Sequence, residues 1–127
     1  MLELTVAAAM MAVLLATSVQ MLRVISGQQR AAERRALALR AVQAVAEQLE
    51  NAPWDQLTSE SAKQASIPHQ VETYFPGAKL TATVVEEPIP LTSKRIMIEF
   101  TWTGPDGRAV APARLTAWAY PDASSPQ

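Results

Sequence analysis

Nineteen consecutive residues, Leu4 to Leu22 (LTVAAAMMAVLLATSVQML), carry no charge, and only Thr5, Thr17, Ser18 and Gln20 among them are polar. A bilayer span takes roughly 20 mainly apolar residues at about 1.5 Å of rise each. A chain of 127 residues has no core thick enough to bury such a helix on every side. No Pro or Gly interrupts the run before Gly27, and the residues beyond it, QQRAAERRALALRAVQAVAEQLENA, are strong helix formers as far as Pro53. The pattern predicts one helix that crosses a membrane and runs on into water. Residues 1–25 are its spanning half, 26–52 its amphipathic half, and 53–127 a connector with one small domain.

In the second half Ala32, Ala36, Leu39, Val42, Ala46 and Leu49 recur at steps of three and four, with Leu37 and Val45 widening the stripe. Such a stripe can cover a sheet of the same chain. The repeat is short and alanine-rich for a coiled coil with another protein, which is the alternative use of the same face. Gly27 separates the halves. Gly costs roughly 1 kcal/mol against Ala inside a helix, so it marks either a bend or a tolerated Gly in an unbroken rod.

Pro53 disfavours helical geometry at Ala52 and ends the helix. Trp54 to His69 (WDQLTSESAKQASIPH) reads as a polar connector containing one short helical turn, with Trp54 and Leu57 tucked against the helix. Beyond it the alternation predicts a weak strand at 70–75, then strands at 79–86, 94–103 and 108–120, the last interrupted at Pro112. Pro88 and Pro90 flank Ile89 and break regular pairing between the second and third of these. Gly104-Pro105-Asp106-Gly107 is a turn, since Pro suits its second position and Gly accepts the closing geometry. If Thr103 pairs with Arg108, then Ile96, Ile98, Phe100 and Trp102 face Leu115, Ala113, Ala111 and Ala109. Large residues then meet small ones on a core face that Leu80, Ala82 and Val84 continue. The other face carries Met97, Glu99, Thr101, Arg108, Val110, Arg114, Thr116, Trp118 and Tyr120. The fold class expected is α+β: a long membrane-spanning helix packed by its C-terminal half on a small antiparallel sheet.

Trp118 and Tyr120 point away from the helix-covered core in this register. Two large rings turned outward fit a partner surface, or a terminal loop folding back over them.

Little in the composition supports chemistry. A net charge of −1 gives no global basic surface, so no nucleic acid is expected as a partner. There is no Cys, which excludes disulfides, thiol catalysis and Cys-ligated metal. His69, the one histidine, sits in the connector. Glu86 and Glu87 are adjacent on a strand and so point to opposite faces, which spoils a carboxylate pair. Ser59 and Ser61 lack a nucleophile-elbow pattern. Asp106 and Asp122 are too few for a calcium site of six to eight oxygens. Neither an enzyme nor a cofactor is expected.

The layout as a whole resembles a known family. An L-E pair (Leu2, Glu3) before Leu4-Thr5-Val6 and a small, aliphatic span, followed by an amphipathic helix and a small β domain, is similar to type IV pilins and type II secretion pseudopilins. The resemblance implies a structural subunit, a minor one, of a pilus-like or pseudopilus fibre. Its partners would be other pilin-like subunits, met through the N-terminal helix, and a prepilin peptidase if a basic leader precedes Met1. It implies for Glu3 an assembly role, attracting the amino terminus of an adjacent subunit. A plain reading of Glu3 is an interfacial acid at the start of a membrane helix, favoured by the helix dipole. Arg23, Arg30, Arg34, Arg35 and Arg40 follow the span, and the positive-inside rule applied to them alone would keep the C-terminal domain in the cytoplasm. A basic leader restores the orientation the resemblance implies: inner membrane, single pass, β domain periplasmic. The alternative is an anchored accessory or binding protein that does not polymerise.

Overall fold

The structure is a computed structural model in which residues 1–121 are described. The chain divides into two compact units, Met1–Arg35 and Ala36–Gln127.

Helix α1 runs from Leu2 to Glu50. Within the first unit every residue is exposed, and this helix is long and apolar enough to cross a membrane. Three of the four polar members of the span are compatible with lipid because their hydroxyls bond back to the helix. Thr5 Oγ1 donates to Met1 O at 2.9 Å, Thr17 Oγ1 to Leu14 O at 2.9 Å and Ser18 Oγ to Leu14 O at 2.8 Å. α1 continues through Gly27, where nothing lies within 4 Å of the position a Cβ would take.

In the second unit the end of α1 packs on a three-stranded antiparallel sheet ordered β1 (Lys79–Glu87), β2 (Ser93–Thr101) and β3 (Ala113–Ala119). The α+β arrangement expected from the pattern is the one observed. The covering stripe is Ala38, Ala41, Val42, Val45, Ala46 and Leu49, all buried. From Val42 on the stripe is the expected one, with Val45, Ala46 and Leu49 buried, and Leu37 is half-buried. Its earlier members are corrected: Ala38 and Ala41 make the contact, while Leu39 is 44% exposed, Ala36 is exposed and Ala32 is an exposed residue of the first unit. The small Ala38 and Ala41 let the helix backbone approach the sheet, and the bulkier Leu39 is left on the flank.

The connector holds more helix than one turn. A 3-10 turn, η1 (Trp54–Gln56), is followed by α2 (Ser59–Gln64), opened by a capping box between Thr58 and Ser61. α2 lies beside β1, where Ser59 Oγ donates to Val84 O at 3.1 Å. The weak strand expected at 70–75 is absent; His69–Tyr74 forms helix α3. Val71, Thr73 and Phe75 fit a strand's period of two, but Val71 and Phe75 also fit a helix's i, i+4 spacing. Pro68 pre-sets the entry and Pro76-Gly77, with Gly77 at φ 74°, ends the segment. The helix is what brings both apolar residues to the core. Phe75 is 4% exposed and meets Phe100 edge-on at 5.4 Å and Trp102 at 5.6 Å.

The β2–β3 register is offset by two from the one expected. Ile98 pairs with Leu115 and Phe100 with Ala113. Half of the offset arises at the turn, where Gly104 N–H donates to Arg108 O at 2.8 Å and Thr103 bridges Ala109. The loop thus has three residues rather than four, with Gly107 at φ 75°. The other half arises at Ala111-Pro112, an extra residue before β3 begins. Between the two steps the faces are exchanged. Val110, expected outside, packs on the core, while Ala109 and Ala111, expected inside, are exposed. Two single steps restore parity, so Ala113 is buried and Leu115, Ala117 and Ala119 pack against the core as expected.

Candidate functional site

Glu3 lies in the first turn of α1, between Leu2 and Leu4, which are 84% and 78% exposed. Its carboxylate has no ion-pair partner among the described residues. An unpaired acid beside a lipid-length apolar surface costs several kcal/mol if drawn into hydrocarbon, and the helix dipole offsets about 1 kcal/mol of that. An ammonium group brought to it would be held more strongly than in water. Ala7, Ala8, Ala9 and Ala12 follow within three turns, small enough for another helix to approach closely.

The outer face of the sheet is polar and ion-paired. Arg114 Nε meets Glu99 Oε2 at 2.7 Å and Arg95 meets Glu87 at 3.0 Å, among Thr81, Thr83 and Thr116. Trp118 and Tyr120 stand outward at the end of β3, 50% and 60% exposed. They occupy the positions the alternation predicted, and no ring contact covers either one among the described residues.

A residue that sequence reasoning passed over is Lys94, buried with 4% exposure. Its Nζ donates to Trp54 O at 2.8 Å and Leu57 O at 2.9 Å, sits 4.5 Å from the centre of the Trp54 ring and lies 3.6 Å from Glu86. The ammonium ties η1 to the sheet by satisfying carbonyls of a turn that no strand reaches. Parity was the signal: Lys94 shares the inward face with Ile96, Ile98, Phe100 and Trp102.

The groups considered for catalysis have structural surroundings. His69 is exposed and pairs with Glu72 at 3.1 Å; Glu86 and Glu87 pair with Lys94 and Arg95; Ser59 and Ser61 serve the edge of β1 and the cap of α2. Asp106 Oδ1 accepts the Arg108 N–H within its turn, and Asp122 lies outside the described residues. No group of three or more His, Asp and Glu suited to a metal occurs among the described residues. No protein-family model matches the chain, and none of the curated proteins or solved structures does so either.

Proposed function

We propose that this chain is a structural subunit, a minor one, of a pilus-like or pseudopilus fibre of type IV pilus or type II secretion machinery. The observation that carries this reading is Glu3, an unpaired acid in the first turn of an exposed, lipid-length helix whose far half is the lid of a small antiparallel sheet. A tether uses a carboxylate there only as an interfacial acid favoured by the helix dipole, whereas a subunit drawn out of the bilayer has a further use for it: the acid and an incoming amino terminus neutralise each other as both leave water. In this reading the chain sits in the inner membrane with its β domain periplasmic. It is handled by a prepilin peptidase where a leader precedes it and carries the amino-terminal methylation that accompanies such processing. It meets other pilin-like subunits through residues 1–25. Gly27 then serves as the place where the helix loosens, since Gly costs roughly 1 kcal/mol against Ala inside a helix.

Glu3→Ala is expected to leave membrane insertion intact and to lower incorporation into fibres or tip complexes by tenfold or more, about the 1.4 kcal/mol that a modest desolvated pair supplies. Co-purification with partner pilins measures it, and equal recovery of variant and wild type would sink the assembly role. Trp118→Ala with Tyr120→Ala is expected to reduce binding to co-expressed pilin-like subunits while moving Tm by only a few degrees. Rings half exposed or more contribute little to the core. A large fall in Tm would instead assign both rings to the core.

A further inference from the structure

Directly beyond its apolar span α1 carries a concentration of positive charge. Residues 23–35 hold Arg23, Arg30, Arg34 and Arg35 against a single acid, Glu33, and all five residues are exposed. Arg23, Gly27, Arg30 and Arg34 recur at steps of four, three and four, the spacing of one helix face. Ile25 and Ala32, on the opposite side, are apolar. Gly27 leaves a gap in the row, where nothing lies within 4 Å of the position a Cβ would take. The guanidinium groups of Arg23, Arg30 and Arg34 have no ion pair or hydrogen bond among the described residues. Arg95 and Arg114 of the sheet, by contrast, are each paired with a glutamate. All four cations of the segment are arginine, while the lysines, Lys63, Lys79 and Lys94, lie beyond Pro53. A guanidinium offers paired donors to two oxygens of one phosphate, where an ammonium is a point charge.

The height of the row above the span selects the anion. With Leu22 at the edge of the hydrocarbon, Arg23 stands at the start of the headgroup zone, which is about 5–7 Å deep. Arg30 and Arg34 follow about 10 and 16 Å beyond Arg23 along the axis, at about 1.5 Å per residue. Long side chains on a helix cover the turn N-terminal to their own Cα, about 5 Å back. The Arg30 guanidinium therefore reaches the headgroups, and that of Arg34 stays within one Debye length of them, about 8 Å at physiological salt. We propose that the Arg23, Arg30 and Arg34 face of α1 binds the phosphate groups of anionic phospholipids in the leaflet where the span ends. A zwitterionic headgroup brings its own cation to the same phosphate, so the lipid with net negative charge is preferred. A second copy packed parallel and in register would set these arginines against one another rather than neutralise them. Binding requires that α1 enters a bilayer, as the proposed subunit does, and is independent of polymerisation.

The test reconstitutes the full chain in phosphatidylcholine bilayers containing a trace of spin-labelled phosphatidylglycerol or spin-labelled phosphatidylcholine. Electron paramagnetic resonance reads the motionally restricted fraction of each lipid, and their ratio is the preference. The wild type should favour phosphatidylglycerol about two- to fivefold at low salt, the scale of a surface cation at a leaflet. That excess should fall by half or more in 1 M salt, where the screening length is about 3 Å. Arg23→Gln combined with Arg30→Gln and Arg34→Gln should bring the ratio to about one. Arg40→Gln, which removes one charge outside the row, should leave it unchanged. All four substitutions are at exposed positions, and resistance to carbonate extraction certifies that each variant is inserted. A wild type extracted by carbonate would refute the membrane reading itself, and the proposal with it. An inserted wild type with a ratio of one, or an inserted triple variant that keeps the wild-type ratio, would overturn the proposal alone. Displacement of the lipid by inorganic phosphate beyond that by chloride at equal ionic strength would make the face a soluble-anion site and overturn the lipid assignment.

Discussion

Lys94→Ala should cost about 3–5 kcal/mol of the folding stability, the largest single-residue loss outside the aromatic core. The side chain is buried, and its ammonium satisfies two carbonyls of η1, those of Trp54 and Leu57. Truncation removes the cation, strands the fully buried Leu57 carbonyl and opens a void where the stem packed. Lys94→Met separates these effects. It retains an apolar stem of similar length but no donors, so the lost hydrogen bonds alone remain to be counted: the Leu57 carbonyl is orphaned, at about 1–3 kcal/mol, while the Trp54 carbonyl keeps the Leu57 N–H at 3.3 Å. The expected order is wild type, then Met, then Ala, read from urea unfolding of the full chain in detergent followed by Trp fluorescence. Lys63→Ala, which breaks only the exposed pair with Glu60, is the control and should stay within about 0.5 kcal/mol. A domain holds roughly 5–15 kcal/mol in all, so the alanine variant should also be visibly more protease-sensitive. A loss below about 1 kcal/mol for Lys94→Ala would show that water replaces the ammonium at both carbonyls and that η1 is held by Leu57 alone.

Lys94 also shows where a sequence stops being readable. Strand parity placed it inward, but a lysine at an inward position is explained only by acceptors that come from elsewhere, here a turn some forty residues earlier. Long-range partners leave no mark on local periodicity. The same limit explains the segment 69–74, where six residues satisfy both a strand period and a helix period and the proximity of Phe100 and Trp102 decides in favour of helix. It explains the helix stripe too: Ala38 and Leu39 both fit steps of three and four, and closeness to the sheet selects the smaller. By contrast, the core face of β2, its neighbours Ala82 and Val84, the turn at Gly104–Gly107 and the outward rings of Trp118 and Tyr120 were legible. Each follows from alternation or turn chemistry within a few residues. The register was off by two yet those faces held, because a slip of one at the three-residue loop and another at Ala111-Pro112 together preserve parity. For the candidate site, Glu3 was legible from its setting in an apolar run.

Removing Met1–Arg23 is expected to convert a protein that resists carbonate extraction into a soluble, folded domain. Twelve large apolar side chains from Met1 to Leu22 stand exposed. At roughly 1 kcal/mol each, below the about 1.5–3 kcal/mol of complete burial, they hold the helix in lipid by on the order of 10 kcal/mol. What the fragment retains is far weaker. Its exposed large apolar side chains, among them Val24, Ile25, Tyr74, Ile89, Leu91, Trp118 and Tyr120, are scattered over the helix end, the connector and the sheet and give at most a reversible interfacial attachment. Folding should survive the cut, since the compact second unit begins at Ala36 and contains every buried residue of the core. The fragment should therefore melt cooperatively and keep the near-UV dichroism of the Phe75, Phe100 and Trp102 cluster. Sedimentation after a carbonate wash, with dichroism of the supernatant, reads both halves of the expectation. A fragment that stays with the membrane would show that the β domain carries a lipid-binding surface of its own, at the end where Ile89 and Leu91 project. A fragment that is soluble but molten would show that the second half of α1 needs its membrane half to dock on the sheet.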